Sequence, residues 1–261
     1  MKKAGILGGG QLGRMLLQSA ANYPVLTHVL ENDENCPAAH LCHYFTKGNI
    51  NNFDDVYQFG KNLDCLTIEI ESVNTDALEK LQQEGVKIFP HPEALKTIKN
   101  KILQKQFYAD NQLPSSPFLV TQNKEDLKLH KDFLPAVHKA STDGYDGRGV
   151  QVLHSEDDYE KGFDVPSVLE KMVQVKKEIA IIVAVASNGE TAIYAPVDMV
   201  FDNNLNLLSH QISPADLDEK IFFFLLAVAL TTVKKLNSPG IFAVELFVDI
   251  DDNVFVNETA P

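Results

Sequence analysis

The chain has little of what marks a secreted, membrane or nucleic-acid-binding protein. Its 261 residues hold three cysteines, Cys36, Cys42 and Cys65. They are odd in number and form no Cys-x-x-Cys pair, so they read as reduced thiols with no zinc site. Positive charge is short: 23 Lys and Arg stand against 36 Asp and Glu, a formal net charge of −13. That excludes a general nucleic-acid surface and adhesion to anionic membranes, both of which need basic patches. Any phosphate site must be local and built from a few cations. The longest apolar run, residues 221–233, is too short to span a bilayer and reads as a buried helix. The N-terminus, Met-Lys-Lys-Ala-Gly-Ile-Leu-Gly, lacks the apolar segment of a signal peptide, so a cytoplasmic protein is expected. The eight histidines show no His-x-x-x-His spacing. No Ser-His-Asp or Cys-His set, internal repeat or low-complexity tail is evident.

What is present is glycine in telling places. Residues 139–149, Lys-Ala-Ser-Thr-Asp-Gly-Tyr-Asp-Gly-Arg-Gly, lie between two apolar runs and read as a strand, a flexible loop and a strand. Gly144, Gly147 and Gly149 let backbone N–H groups crowd around an anion, and Lys139 and Arg148 bring charge to the same place. A long hairpin turn explains the same composition, since Gly and Asp are ordinary turn residues. Earlier, Gly8, Gly10 and Gly13 follow an apolar strand and open a helix, with Glu31 ending the next strand. That context matches the dinucleotide-binding fingerprint. A helix N-terminus accepts any phosphate, however, including a sugar phosphate.

Strands and helices alternate over residues 1–92, which implies a parallel sheet covered on both faces. Strands are expected at 4–7, 25–30, 65–70 and 86–89, with helices at 11–21 and 75–84. Residues 93–117 form a helical connector. From 118 the pattern changes to longer strands at 118–121, 135–139, 150–153, 167–170, 177–186 and 192–201, with one helix near 156–162. A helix over 215–236 and strands at 241–250 and 254–258 follow. This block suits an antiparallel α+β domain, divided into 118–173 and 174–261.

Glu69 and Glu71 share one side of a strand end, at the sheet edge where ligands bind in open α/β folds. The segment from Glu170 to Val173 has the mixed character of an edge that offers backbone hydrogen bonds to a base, or of an ordinary surface loop. Lys96, Lys99, Lys101 and Lys105 read by default as a solvated helix face. The sharpest spacing argument concerns Glu245 and Glu258. A turn at Asp251-Asp252 sets Ile250 against Asn253 and, counting back along both strands, Glu245 against Glu258. Their Cβ atoms would then be roughly 5 Å apart. Two like charges so placed need a cation between them or one protonated carboxyl. Two carboxylates completed by water and phosphate suit Mg²⁺. A slip of one residue would separate them, and Asn257 faces away unless a bulge intervenes.

Residues 8–15 (Gly-Gly-Gly-Gln-Leu-Gly-Arg-Met), 67–71, 102–107 (Ile-Leu-Gln-Lys-Gln-Phe), 143–149, 212–215 (Ile-Ser-Pro-Ala) and 257–261 stand in one order. Together they resemble the ATP-grasp 5-(carboxyamino)imidazole ribonucleotide synthase family of purine biosynthesis, along essentially the whole chain. The resemblance implies a Rossmann-like N-terminal domain followed by an ATP-grasp fold, with a small lid and a larger antiparallel subdomain. It implies ATP- and bicarbonate-dependent carboxylation of 5-aminoimidazole ribonucleotide through carboxyphosphate, and a homodimer. Lys101, Lys139, Asp143, Gly144, Gly147, Gly149, Glu170, Val173, Glu178, Asn257 and Glu258 match nucleotide contacts, with Lys101 where Arg is common. Glu245 and Glu258 match Mg²⁺ ligands, and Gln11, Leu12 and Glu69 match the ribonucleotide side. Tyr145, Asp146 and Arg148 match residues reaching toward the acceptor and the carboxyl donor.

Two departures bear on this. Asp143 stands where Gly is common, and Phe201 replaces a His that contacts ATP. The family also continues past Ala-Pro with basic residues that hold the substrate phosphate, so residues beyond Pro261 are expected, and a polypeptide ending there is expected to turn over poorly. Formate-dependent glycinamide ribonucleotide transformylase, an NAD(P)-dependent oxidoreductase built on Gly8, Gly10, Gly13 and Glu31, and a non-catalytic nucleotide sensor are the competing readings.

Overall fold

The computed structural model describes residues 1–142, 149–202 and 207–261. The chain divides into two units: residues 1–96 with 238–240 and 261, and residues 97–237 with 241–260.

Unit 1 alternates strand and helix: β1 (Lys2–Leu7), α1 (Gln11–Ala20), β2 (Val25–Glu31), β3 (Tyr44–Lys47), α2 (Phe53–Gly60), β4 (Cys65–Ile68), α3 (Thr75–Gln83), β5 (Lys87–Phe89) and α4 (Pro92–Lys99). The strands form one sheet in the order β3-β2-β1-β4-β5, and each pairing is parallel, as the alternation predicts. Ile6 and Val29 join one apolar cluster with Leu17, while their neighbours Leu7 and Leu30 join another with Leu66, Leu78 and Leu81. A strand's period of two therefore buries both faces. The strand order reverses between β1 and β4, which brings the turn after β1 and the segment after β4 to one crevice edge. The strand β3 and helix α2 were absent from the sequence reading. Each is short, and β3 is a largely exposed edge strand.

Unit 2 comprises α5 (Lys101–Asp110), β6 (Phe118–Thr121), β7 (Ala136–Ala140), β8 (Val150–Leu153), β9 (Ser167–Lys171), β10 (Val175–Val185), β11 (Thr191–Ile193), β12 (Val197–Asp202), β13 (Leu207–Ile212), α6 (Glu219–Lys235), β14 (Gly240–Asp249) and β15 (Val254–Ala260). Asn100 separates α4 from α5, accepting the N–H groups of Ile102 and Leu103 on its side chain, so residues 93–111 form two helices rather than one. The expected helix near 156–162 is a 3₁₀ turn, Glu156–Lys161. The strand expected over 192–201 divides at Pro196, which cannot donate to a ladder. The expected helix over 215–236 begins only at Glu219, capped by the Asp218 side chain.

A four-stranded sheet, β6-β9-β7-β8, and a six-stranded sheet, β13-β12-β10-β14-β15 with β11 on β10, make up unit 2. The described pairings are antiparallel. Ile179, Ile181 and Val183 of β10 and Phe242, Val244, Leu246 and Val248 of β14 pack with Leu225, Ala229 and Val233 of α6. The alternate residues of those strands, Glu178 and Glu245 among them, lie on the opposite face. Among the described residues no helix is long and apolar enough to cross a membrane.

His138 shows how dry unit 2 is. It is fully buried on β7. Its Nδ1 accepts the Phe163 N–H at 3.2 Å, so its proton sits on Nε2, 2.9 Å from the Thr121 hydroxyl. Burial lowers its pKa to about 4. The unfolded chain takes up a proton below the ordinary value of about 6.5 and the native state does not. Stability is expected to fall as pH drops from about 6.5 toward 4. Denaturant titrations across that range check this, with nitrogen chemical shifts reporting a neutral Nε2–H imidazole at pH 5.

Candidate active site

In unit 1 the turn after β1 is shaped around two carboxylates. Gly8 has φ +101°, a region only glycine enters freely. A Cβ on Gly8 would lie 2.7 Å from Glu69 Oε2, and one on Gly10 2.6 Å from Glu69 Oε1. The Leu12 N–H donates to Glu69 Oε1 at 3.3 Å and the Gly9 N–H to Glu31 Oε2 at 3.1 Å. Glu69 thus lies against the positive end of α1, where backbone donors have no helical partner, and Glu31 against the turn that precedes it. The strand β4 ends at Ile68, so Glu69 and Glu71 lie beyond it, and strand alternation does not pair them. Gln11 and Leu12, both exposed, form the first turn of α1.

Unit 2 gathers most of the remaining candidates. Glu245 of β14 faces Glu258 of β15. The turn differs from the sequence expectation by one residue. The Asp249 N–H bonds to the Asn253 carbonyl at 2.9 Å around a three-residue loop in which Asp252 has φ +62°. Leu246 pairs with Val256 and Glu245 with Glu258, so Asn257 is the extra residue of a β-bulge. The two one-residue shifts cancel. Without the bulge, Glu258 would point into the α6 core; with it, Glu258 joins Glu245 and Glu178 on the outer face.

Lysines stand beside these acids. Lys101 Nζ lies 2.7 Å from Glu258 Oε2. Lys139 Nζ is 2.9 Å from Asn257 Oδ1 and 3.1 Å from Glu170 Oε1. Lys105 Nζ is 2.8 Å from Glu170 Oε2, which also accepts from the Ser116 hydroxyl at 2.8 Å. Lys101, Gln104 and Lys105 share one side of α5 by their spacing. Gln104 holds that helix to β15 by pairing with both the N–H and the carbonyl of Thr259.

Burial, reinforced by Glu258 and Glu178, pushes the Glu245 carboxyl up to about 7. Burial also raises Glu178, against the opposing pull of Lys139. Burial disfavours the Glu258 anion as well, but Lys101 and Lys139 outweigh it and hold that carboxyl below its ordinary value. A divalent cation between Glu245 and Glu258 would relieve the same cost, so the pair fits Mg²⁺ completed by water and phosphate oxygens. Among the described residues no group of three His, Cys, Asp or Glu side chains forms a ready-made metal cage.

Other candidates are placed differently. Glu170 is no edge residue: β9 lies between β6 and β7, and Glu170 pairs with Phe118 and Val137. Its carboxylate is buried among lysines, so the solvated-face reading of Lys105, only 3 % exposed, is overturned. Val173 lies beyond β9 and lines a cavity of about 260 Å³ with Met172, Gln174 and Phe255. Gly149 is described, with φ +136°, whereas Asp143, Gly144, Tyr145, Asp146, Gly147 and Arg148 lie outside the described residues. Lys105, Gln104 and Ser116 were missed as site residues. The four-residue spacing of Lys101 and Lys105 was the available signal, but it does not say which side of a helix is buried.

Residues 1–99 match the ribonucleotide synthetase preATP-grasp domain and residues 106–261 the ATP-grasp domain. The chain is 35 % identical to a chloroplastic phosphoribosylaminoimidazole carboxylase of Vigna aconitifolia, over 98 % of this chain and 47 % of that protein. It therefore spans about half the length of that relative. Its fold is similar to N5-carboxyaminoimidazole ribonucleotide synthetase from Thermotoga maritima, with a TM-score of 0.91 and 31 % identity over all of this chain and 69 % of that one. It is also similar to N5-carboxyaminoimidazole synthase from Aspergillus clavatus, solved with ADP and 5-aminoimidazole ribonucleotide. There the TM-score is 0.90, with 31 % identity over 99 % of this chain and 69 % of that one.

The glycine turn supplies a direct test. Gly8→Ala is expected to destabilise unit 1 by about 1–3 kcal/mol, because both its φ and its contact with Glu69 are strained. Gly10→Ala, at φ −73°, should cost less, since only the mobile carboxylate must move. Thermal melting of the two variants checks the order.

Proposed function

The chain belongs to the N5-carboxyaminoimidazole ribonucleotide synthase family of ATP-grasp proteins, and on that premise we propose that it carboxylates the amine of 5-aminoimidazole ribonucleotide, using ATP and bicarbonate. A bicarbonate oxygen attacks the γ-phosphorus, ADP leaves, and carboxyphosphate forms. The exocyclic amine then takes the carboxyl carbon, directly or as released CO₂, with loss of phosphate and a proton. The observation that carries this reading is the bulged hairpin that sets Glu245 against Glu258 beside Lys101 and Lys139. Phosphoryl transfer needs positioning and charge neutralisation more than a protein nucleophile.

In this proposal Glu245 and Glu258 hold Mg²⁺, which would neutralise charge developing on the phosphates. Lys101 and Lys139 hold phosphate oxygens, Asn257 and Glu178 further nucleotide atoms, and Val173 and the main chain at Glu170 flank the base, while the Glu170 carboxylate stays with the lysines. The loop with Asp143, Gly144, Gly147 and Gly149 covers the phosphates and excludes water from carboxyphosphate. Tyr145, Asp146 and Arg148 reach the acceptor and carboxyl donor, and Gln11, Leu12 and Glu69 hold the ribonucleotide. The solved Aspergillus relative with ADP and 5-aminoimidazole ribonucleotide supports both ligand assignments. Bicarbonate as carboxyl donor, a cytoplasmic location, a homodimer and subdomains at 118–173 and 174–261 belong to the same proposal. The dinucleotide reading leaves the pairing of Glu245 with Glu258 unexplained.

ADP release should require both bicarbonate and 5-aminoimidazole ribonucleotide when each is omitted in turn. Release indifferent to the ribonucleotide, or supported by formate and glycinamide ribonucleotide instead, would overturn the acceptor. Glu258→Gln is expected to lower turnover by about 100-fold or more, by analogy with the loss of other transition-state charge stabilisers. A coupled ADP assay at saturating ribonucleotide measures it.

A further inference from the structure

Lys105 and Glu170 are the only Lys, Arg, Asp or Glu residues among the described residues that are buried, at 3 % and 5 % exposure. Glu170 receives more positive charge than one carboxylate needs. Lys105 and Ser116 meet Oε2, each at 2.8 Å, and Lys139 meets Oε1 at 3.1 Å. The two lysines differ in what else binds them. Lys105 projects from α5 into the protein, where it also meets the Ser116 hydroxyl at 3.3 Å and lies 5.9 Å from the centre of the Tyr108 ring. Lys139 has a side chain 12 % exposed and also reaches Asn257, the bulge residue beside Glu258.

The space among these groups is small. Lys101, Lys105, Lys139, Glu170, Asn257 and Glu258 surround a gap of about 10 Å³. That is room for one water at most. A phosphate enters only if side chains that now fill the site move. Lys139 can leave Glu170 at low cost only if Glu170 keeps another cation, because a buried carboxylate stripped of its partner is strongly unfavourable.

Building on the nucleotide-binding reading above, we propose that Lys105 is a positioning residue. It is the fixed counter-ion of Glu170, and its presence frees Lys139 to transfer from Glu170 to a nucleotide phosphate. Lys105 touches no substrate in this scheme. It sets how tightly the buried carboxylate retains the lysine that does.

The test is a double-mutant cycle on ADP binding, read by titration calorimetry with no acceptor present. Lys105→Met keeps the volume and removes the charge, leaving Lys139 as the sole cation on Glu170. ADP affinity should fall about tenfold or more. Lys105→Arg should stay near wild type. The deciding variant carries Lys105→Met with Glu170→Gln. Removing the charge that over-holds Lys139 should bring affinity back to within about threefold of wild type, a coupling that independent structural damage does not produce. Failure of this second substitution to restore binding, or unchanged affinity in Lys105→Met, overturns the proposal.

Should Lys105→Met not fold, lysine ammonium NMR of the wild-type protein decides. Addition of ADP should shift the Lys139 signal and leave Lys105 in place, whereas movement of both, or of neither, overturns it. Wild-type protein that binds no ADP overturns the nucleotide reading along with this one. Wild-type binding with an unaffected Lys105→Met removes the positioning role alone.

Discussion

Carboxylates held away from water, in a chain with few cations to spare, are the constraint around which unit 2 is organised. Glu178, Glu245 and Glu258 share one face of neighbouring strands, and Glu170 is buried in the adjoining sheet. Burial opposes ionisation in each of them. The protein answers with three lysines from two elements, Lys101 and Lys105 on α5 and Lys139 on β7. Glu245 and Glu178 are left short, and the raised pKa of each expresses that deficit. The proposed Mg²⁺–nucleotide complex supplies positive charge to Glu245 and Glu258 and phosphate charge to the lysines, so each group exchanges one ionic partner for another. Sites of this kind are held poised because an incomplete arrangement of buried charge is unfavourable.

Unit 1 shows a related arrangement with opposite sign. The start of α1 presents backbone N–H groups, and the Glu69 carboxylate occupies that of Leu12, while Glu31 takes the Gly9 N–H of the turn just before it. A phosphate arriving at this helix end has to share or displace those carboxylates, whereas an amine or hydroxyl could meet Glu69 directly. Glycine at positions 8 and 10 follows from the closeness of Glu69 as much as from the needs of a ligand. A glycine fingerprint read from spacing alone therefore overstates how open such a turn is.

Much of this was legible from residue order because the relevant forces are local. Strand–helix alternation over residues 1–92 specified the parallel sheet, since the two faces of each strand had to be covered. The near-continuous apolar stretch before Lys234 marked α6. The edge strands β3 and β13 escaped notice because both are short and neither alternates apolar with polar residues. The glutamate pair was placed correctly by a count that erred at the turn and was rescued by a bulge it had not located. Bulges are set by side-chain demands across the ladder, which no periodicity encodes.

Sequence alone determined which groups were available: two glutamates on a closing hairpin, lysines four residues apart on a helix, and glycines ahead of another helix. Their types and spacing follow from local geometry. Only the tertiary structure decided which acid meets which base. Lys105 was indistinguishable from a solvated lysine until α5 packed against β9 and β15 and turned it inward onto Glu170. Partner choice depends on distances between segments up to 157 residues apart, as between Lys101 and Glu258. Those distances exist only once the sheets have formed and water has been excluded from between them.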